Sequence, residues 1–150
     1  MDKILSLFQM DIAEMLPEMS SYLSGLEGMV RLLVLACPVV VLVLGVWYYF
    51  FPPAEANQKA GFRSYFTMGS VEAWRFAQKL AGLGYMVLGG ALTLIVGIVS
   101  IFFNAEKGVA MINTALVCVI VELILVLAVW IGVHVLVLRV FDKDGKRRKK

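Results

Sequence analysis

Three long runs of apolar residues dominate the chain, at about residues 30–51, 79–103 and 109–138. Apart from a basic residue near the start of each of the first two runs, their only charged side chain is Glu122 in the third. A helix rises about 1.5 Å per residue, so about 20 apolar residues cross the roughly 30 Å hydrocarbon core of a bilayer. Backbone groups in hydrocarbon must be paired within the segment, which requires helices. The pattern predicts an all-α membrane protein with three transmembrane helices.

The N-terminal segment, residues 1–28, has a different pattern. Its apolar residues recur at steps of three or four, which places them on one face of a helix. They are Ile4, Phe8, Ile12, Met15, Met19, Tyr22 and Leu26. Acidic residues occupy much of the remaining surface, and Pro17 is expected to kink this helix or to begin a second one. The sequence therefore predicts an amphipathic interfacial helix at 1–28, a membrane domain at 29–141 and a basic tail at 142–150.

Composition and charge placement support a membrane protein and predict its orientation. The 150 residues are 61% hydrophobic with mean hydropathy +0.85, which leaves too little polar sequence to cover three such helices in water. Five acidic and two basic residues precede Leu32, where the charge-free part of the first span begins, whereas the connection 52–79 and the tail are rich in Lys and Arg. The positive-inside rule predicts that this connection and the tail are cytoplasmic, with the N-terminus and the 104–108 turn outside. The basic tail is expected to contact lipid headgroups rather than nucleic acid.

The polar residues inside the spans offer few candidates for chemistry. Both cysteines, Cys37 and Cys118, fall within spans, and the sequence contains no Ser-His-Asp set, metal-ligand motif or phosphate-binding loop. We therefore expect no enzyme activity, metal or cofactor. Glu122 falls near the bilayer midplane, where a charged side chain costs about 2.5–3.5 kcal/mol, so it should face protein. It is either a structural group hydrogen-bonded to Thr93 or a backbone carbonyl, or a ligand for a proton or ion.

The second span carries mostly small residues at every fourth position, along a stripe that permits close helix contact. The stripe consists of Ala81, Tyr85, Gly89, Thr93 and Gly97. We favour packing between spans of one chain over a homodimer contact, and a homo-oligomer stays open.

The connection between the first two spans, PPAEANQKAGFRSYFTMGSVEAWRFAQK, contains the most distinctive polar residues. Ser70 is predicted to cap the second helix, with Glu72 in its first turn, and Trp74 is expected to lie at the membrane interface. Arg63 has a planar set of donors that fits a carboxylate or phosphate, and Gly61 before it permits unusual backbone shapes. Alternatively, Arg63 holds the loop by pairing with Glu72 or with the second helix.

This connection resembles the SdpI/YfhL family, bacterial membrane proteins that include the immunity protein against a sporulation-delaying toxin. The family pattern has Asn before Gly-Tyr-Arg-Thr, then Ser/Thr-Met and Trp-x-x-Ala-Asn. The similar residues are Asn57, Gly61-Phe62-Arg63-Ser64, Thr67-Met68 and Trp74-Arg75-Phe76-Ala77-Gln78, with Phe62 for Tyr, Ser64 for Thr and Gln78 for Asn. The resemblance implies a binding site among Asn57, Gly61, Phe62, Arg63, Ser64, Thr67, Glu72, Trp74 and Gln78.

The function that this resemblance implies is binding. It is immunity in the bacterial cytoplasmic membrane, by sequestration of a membrane-active peptide toxin, with a cytoplasmic regulator as a further partner. The alternative is a small oligomeric transporter or channel in which Glu122 couples to a proton or ion. An enzyme that acts on lipid, with Arg63 at the phosphate, is the weakest reading.

Overall fold

A computed structural model describes residues 2–56, 61–104 and 108–148, with side chains described from residue 25 onward. Within these residues the chain forms three helices: α1 (Asp2–Phe50), α2 (Val71–Ile101) and α3 (Gly108–Val140). Each contains a stretch long and apolar enough to cross a membrane, with mean hydropathy 2.7, 2.0 and 3.0 in chain order. The predicted all-α class and the three apolar spanning segments are confirmed.

Helix α1 is longer than the span predicted within it. Its 49 residues form one helix that continues through Pro17 without a break. At the standard rise, this helix measures about 75 Å and exceeds the apolar thickness of a bilayer. The structure does not show a separate interfacial helix at residues 1–28. The apolar face predicted there lies outside the described side chains, so it stays a prediction, as does the domain boundary.

Glycines bring α1 and α2 into direct backbone contact. A Cβ atom added at Gly89 would lie 2.4 Å from the backbone nitrogen of Leu42, and one at Gly82 would lie 2.5 Å from that of Tyr49. A Cβ atom added at Gly45 of α1 would likewise lie 2.2 Å from the backbone nitrogen of Met86. Close packing within one chain, as predicted for the small-residue stripe, is therefore confirmed at Gly89.

Two apolar clusters join the helices, one near each end of the bundle. The cluster at the end that carries the 52–70 connection consists of Phe62, Ala73, Ala77, Ala81, Val133, Val137 and Phe141. The cluster at the opposite end consists of Val34, Val96, Phe103, Met111 and Ala115. At that end Arg31 bonds to Glu27 and donates to the Phe103 carbonyl at 3.0 Å, which ties α1 to the end of α2. The end of the bundle that carries the 52–70 connection is here called the loop end.

Helix α3 presents most of its surface away from the protein. Only 11% of its apolar window is buried, and it packs more against α2 than against α1. In a bilayer, such a surface faces lipid tails at no cost, because they are as apolar as the side chains themselves. The sparse contact between α1 and α3 leaves a cleft between them at the loop end.

Candidate functional site

The segment Gly61–Ser70, here named the motif platform, contains a turn closed by two hydroxyl residues. The Thr67 hydroxyl accepts from the Ser64 N–H at 2.8 Å and donates to the Ser64 carbonyl at 2.9 Å. The Thr67 N–H donates to the same carbonyl at 3.2 Å. Thr67 is fully buried, so these bonds satisfy a hydroxyl that would otherwise be costly there. The two motif positions therefore shape the turn.

Gln78 of α2 holds the beginning of the motif platform. Its side-chain Oε1 accepts from the Phe62 N–H, and its Nε2 donates to the Phe62 carbonyl, both at 2.8 Å. The amide thus pairs with a backbone unit as a neighbouring strand would. Gly61 has φ +112°, and a Cβ there would lie 2.9 Å from both Gln78 Oε1 and the Trp74 ring. Only glycine fits this position without strain.

Trp74 lies beneath the motif platform. It is fully buried, and its indole Nε1–H donates to the Pro53 carbonyl at 2.8 Å. Pro53 and the motif platform cover the ring of Trp74, so the side chain is enclosed by protein, and its expected position at the membrane interface stays a prediction. In this chain the indole of Trp74 therefore ties Pro53 to α2.

Ser70 and the C-terminal segment join at the start of α2. As predicted, Ser70 is the N-cap: its hydroxyl accepts from the Ala73 N–H at 3.1 Å. The same hydroxyl donates to the Gly145 carbonyl at 2.7 Å. Gly145 has φ +70°, and a Cβ there would lie 2.5 Å from the Gly69 carbonyl carbon. The two chain segments thus meet with no room for a side chain between them.

Residues 141–148 form a compact turn instead of a simple extended tail. Phe141 bridges to Arg147, and the Asp142 carboxylate accepts from the Lys146 N–H at 2.8 Å. Glu72 at the start of α2 pairs with Arg147 at 3.6 Å. Both of these side chains are largely exposed, so the ion pair contributes little stability. The basic turn is nevertheless fixed beside the motif platform by the Ser70 and Gly145 contact.

A cleft of about 390 Å³ lies between α1 and α3 at the loop end, next to the motif platform. We name it the α1–α3 cleft. It is lined by Val41, Leu44, Tyr48, Gly61, Phe62, Arg63, Tyr85, Val126 and Trp130. Trp130 contacts Phe62 with ring centroids 6.1 Å apart and stacks on His134 at 5.6 Å. The cleft therefore combines a guanidinium, two phenols and an apolar wall.

Glu122 lies within the membrane-spanning part of α3, four residues before Val126 of the α1–α3 cleft. It is 1% exposed, so it faces protein as predicted. Neither carboxyl oxygen has a hydrogen-bond partner among the described residues, although the Cys37 thiol of α1 faces the group. The predicted bond to Thr93 is not formed: the Thr93 hydroxyl donates to the Gly89 carbonyl of its own helix at 2.7 Å. Among the described residues, Glu122 is therefore a buried carboxyl group without the hydrogen bond that the structural alternative predicted.

The structure brings most of the predicted site residues together but gives them different tasks. The motif platform contains Gly61, Phe62, Arg63, Ser64 and Thr67, of which Arg63 lines the adjoining cleft. Gln78 and Trp74 of α2 support it from below, and Glu72 pairs with Arg147. Asn57 lies outside the described residues. The sequence pattern did not indicate Tyr48, Tyr65, Trp130 or Gly145, and it included Tyr85 only as part of the small-residue stripe. Aromatic residues at span ends are common enough that sequence alone did not single them out.

The sequence model of the SdpI/YfhL protein family matches residues 54–138 of the chain. This match covers more than half of the chain and includes the motif platform, α2 and nearly all of α3. No curated protein and no solved structure matches the chain.

Proposed function

Because the chain belongs to the SdpI/YfhL protein family, we propose that this multi-pass membrane protein is an immunity protein that sequesters a membrane-active peptide toxin. The proposed partner binds at the motif platform, and the protein acts by binding rather than by catalysis. A cytoplasmic regulator is a further proposed partner at the same end. The proposal is carried by one observation: some side chains of the motif platform are buried and fix its backbone, while others are exposed on its surface.

One set of motif-platform side chains points inward and the other points outward. Phe62 and Thr67 are buried, and the Gln78 pair fixes the backbone between them and α2. Arg63 is exposed, while Tyr65 and Met68 are 75% and 40% exposed. Tyr, Arg and Met are enriched at protein-binding surfaces, and a fixed backbone lowers the entropy cost of binding. A rigid platform that displays these three side chains fits a binding protein.

The proposed orientation places the loop end in the cytoplasm. The connection and the basic turn, which the sequence predicts on one side of the membrane, contact each other directly through Ser70 and Gly145. Together they carry most of the described basic residues, whereas Glu27 lies near the opposite end. The positive-inside rule favours this arrangement. A peptide inserted across the bilayer would reach the motif platform from within the membrane.

Survival of a toxin-sensitive bacterium that expresses the protein tests the proposal. Expression should raise the toxin concentration needed to stop growth, and Arg63→Ala or Tyr65→Ala should remove most of that gain. Truncation of a central contact residue typically costs about 2 kcal/mol or more, or roughly 30-fold in affinity. Arg75→Ala is the matched control, because Arg75 is an exposed arginine of α2 that lines a different groove at the loop end.

Membrane abundance of each variant must be equal by immunoblot for the comparison to count. Absence of protection by the unaltered protein against membrane-active peptides would contradict the proposal. An equal loss in the Arg75→Ala control would contradict the assignment of the motif platform.

Glu122 supports a second candidate function, an oligomeric transporter or channel coupled to a proton or ion. A carboxyl group that is 1% exposed with both oxygens unpartnered is costly, and intramembrane carboxylates commonly mark ion pathways. Proton or cation flux into proteoliposomes should then disappear in Glu122→Gln, which keeps the shape but cannot titrate. Glu72→Gln, at an exposed carboxylate of the loop end, should retain the flux. Flux that persists in Glu122→Gln would exclude this role.

A further inference from the structure

The α1–α3 cleft has a graded lining that neither proposed function requires. Arg63 and Tyr48 line it near the loop end, and Leu44 and Val41 line it farther into the apolar part of α1. Val41 lies seven residues before Tyr48, which places it about 10 Å deeper along the helix axis. The cleft therefore changes from cationic and hydroxyl-bearing to wholly aliphatic along the membrane normal.

This gradient matches an amphiphile held in the orientation of a bilayer lipid. We propose that the α1–α3 cleft binds one anionic phospholipid, with its phosphate at Arg63 and an acyl chain along Val41, Leu44 and Val126. Of the described residues that line the cleft, Arg63 is the only charged one, so no lining carboxylate repels an acidic headgroup. The inference does not depend on the immunity proposal.

Access to the cleft also favours a lipid. Leu44 and Trp130 at its two sides are 42% and 41% exposed, so the cleft is open toward the surrounding bilayer. A free phosphate would leave the aliphatic wall unfilled, whereas an acyl chain covers it. A guanidinium has five N–H donors in a planar set that suits a phosphate, so Arg63 can bind one while it keeps its contacts within the protein. The hydroxyls of Tyr48 and Tyr85 supply further donors at the same end.

Lipid retention by the purified full-length protein tests this site. The protein is exchanged into a neutral detergent with added phosphatidylglycerol or phosphatidylcholine, and bound lipid is counted by native mass spectrometry. We expect one retained phosphatidylglycerol per chain and about tenfold less phosphatidylcholine. Arg63→Ala should weaken phosphatidylglycerol binding by about tenfold or more, since hydrogen bonds to charged groups are among the stronger ones. Arg75→Ala should bind as the unaltered protein does.

A second variant addresses the cleft without changing charge. Leu44→Trp places a larger side chain in the cleft and should lower phosphatidylglycerol binding. This variant tests the site independently of whether Arg63→Ala folds. Inorganic phosphate at millimolar concentration should not displace the lipid. Equal retention of the two lipids, full binding by both cleft variants, or displacement by inorganic phosphate would each overturn the proposal.

Discussion

Replacing Gly89 by alanine is expected to push α1 away from α2 and to destabilise the protein by about 1–3 kcal/mol, the usual cost of overpacking. The added Cβ would meet the Leu42 backbone nitrogen at 2.4 Å and its Cα at 2.7 Å. These are backbone atoms of a helix, so no side-chain rotation relieves the contact. Thermal unfolding in detergent, followed by circular dichroism, measures the effect.

Gly97→Ala is the matched control for Gly89→Ala. Gly97 lies on the same helix, and a Cβ added there would have nothing within 4 Å. Alanine is favoured over glycine in a helix by about 1 kcal/mol, so the control should unfold at the same temperature or a slightly higher one. An equal loss of stability in both variants would show that the α1–α2 backbone contact does not set the packing.

The small-residue stripe shows how far the helical pattern could be read from the sequence. A helix turns about 100° per residue, so steps of four drift by about 40° each and leave the contact face. Gly89 lies on the contact and Gly97, two steps later, lies in open space. Gly82 lies seven residues before Gly89, which returns it to within about 20° of the same direction. The close contact at Gly82 was missed because the stripe was traced at steps of four.

The motif platform was predicted only in outline, because its bonds join residues distant in sequence. Hydropathy sufficed for the three spans, and residue type sufficed for the Ser70 cap, because both depend on local patterns. The 16-residue separation of Gln78 from Phe62, and the 75-residue separation of Ser70 from Gly145, have no periodic signal. For the same reason the sequence did not indicate that Pro53 and the motif platform cover the Trp74 ring.

Gln78→Leu is expected to release the motif platform from α2. Leucine keeps much of the volume but leaves the Phe62 N–H and carbonyl without their 2.8 Å partners in a buried position. An unsatisfied buried polar group costs about 1–3 kcal/mol, so the two together cost about 2–6 kcal/mol. The free energy of unfolding in detergent should fall by that amount, and protection against toxin should be lost with it.

Gln78→Asn separates hydrogen bonding from packing at this position. Asparagine stands here in the family pattern, and it keeps both amide groups while losing one methylene. If the bonds to Phe62 dominate, Gln78→Asn should retain most of the stability and Gln78→Leu little of it. If side-chain volume dominates, the order of the two variants should be reversed. A reversed order would mean that side-chain volume at position 78 holds the platform against α2 more than the two bonds to Phe62 do.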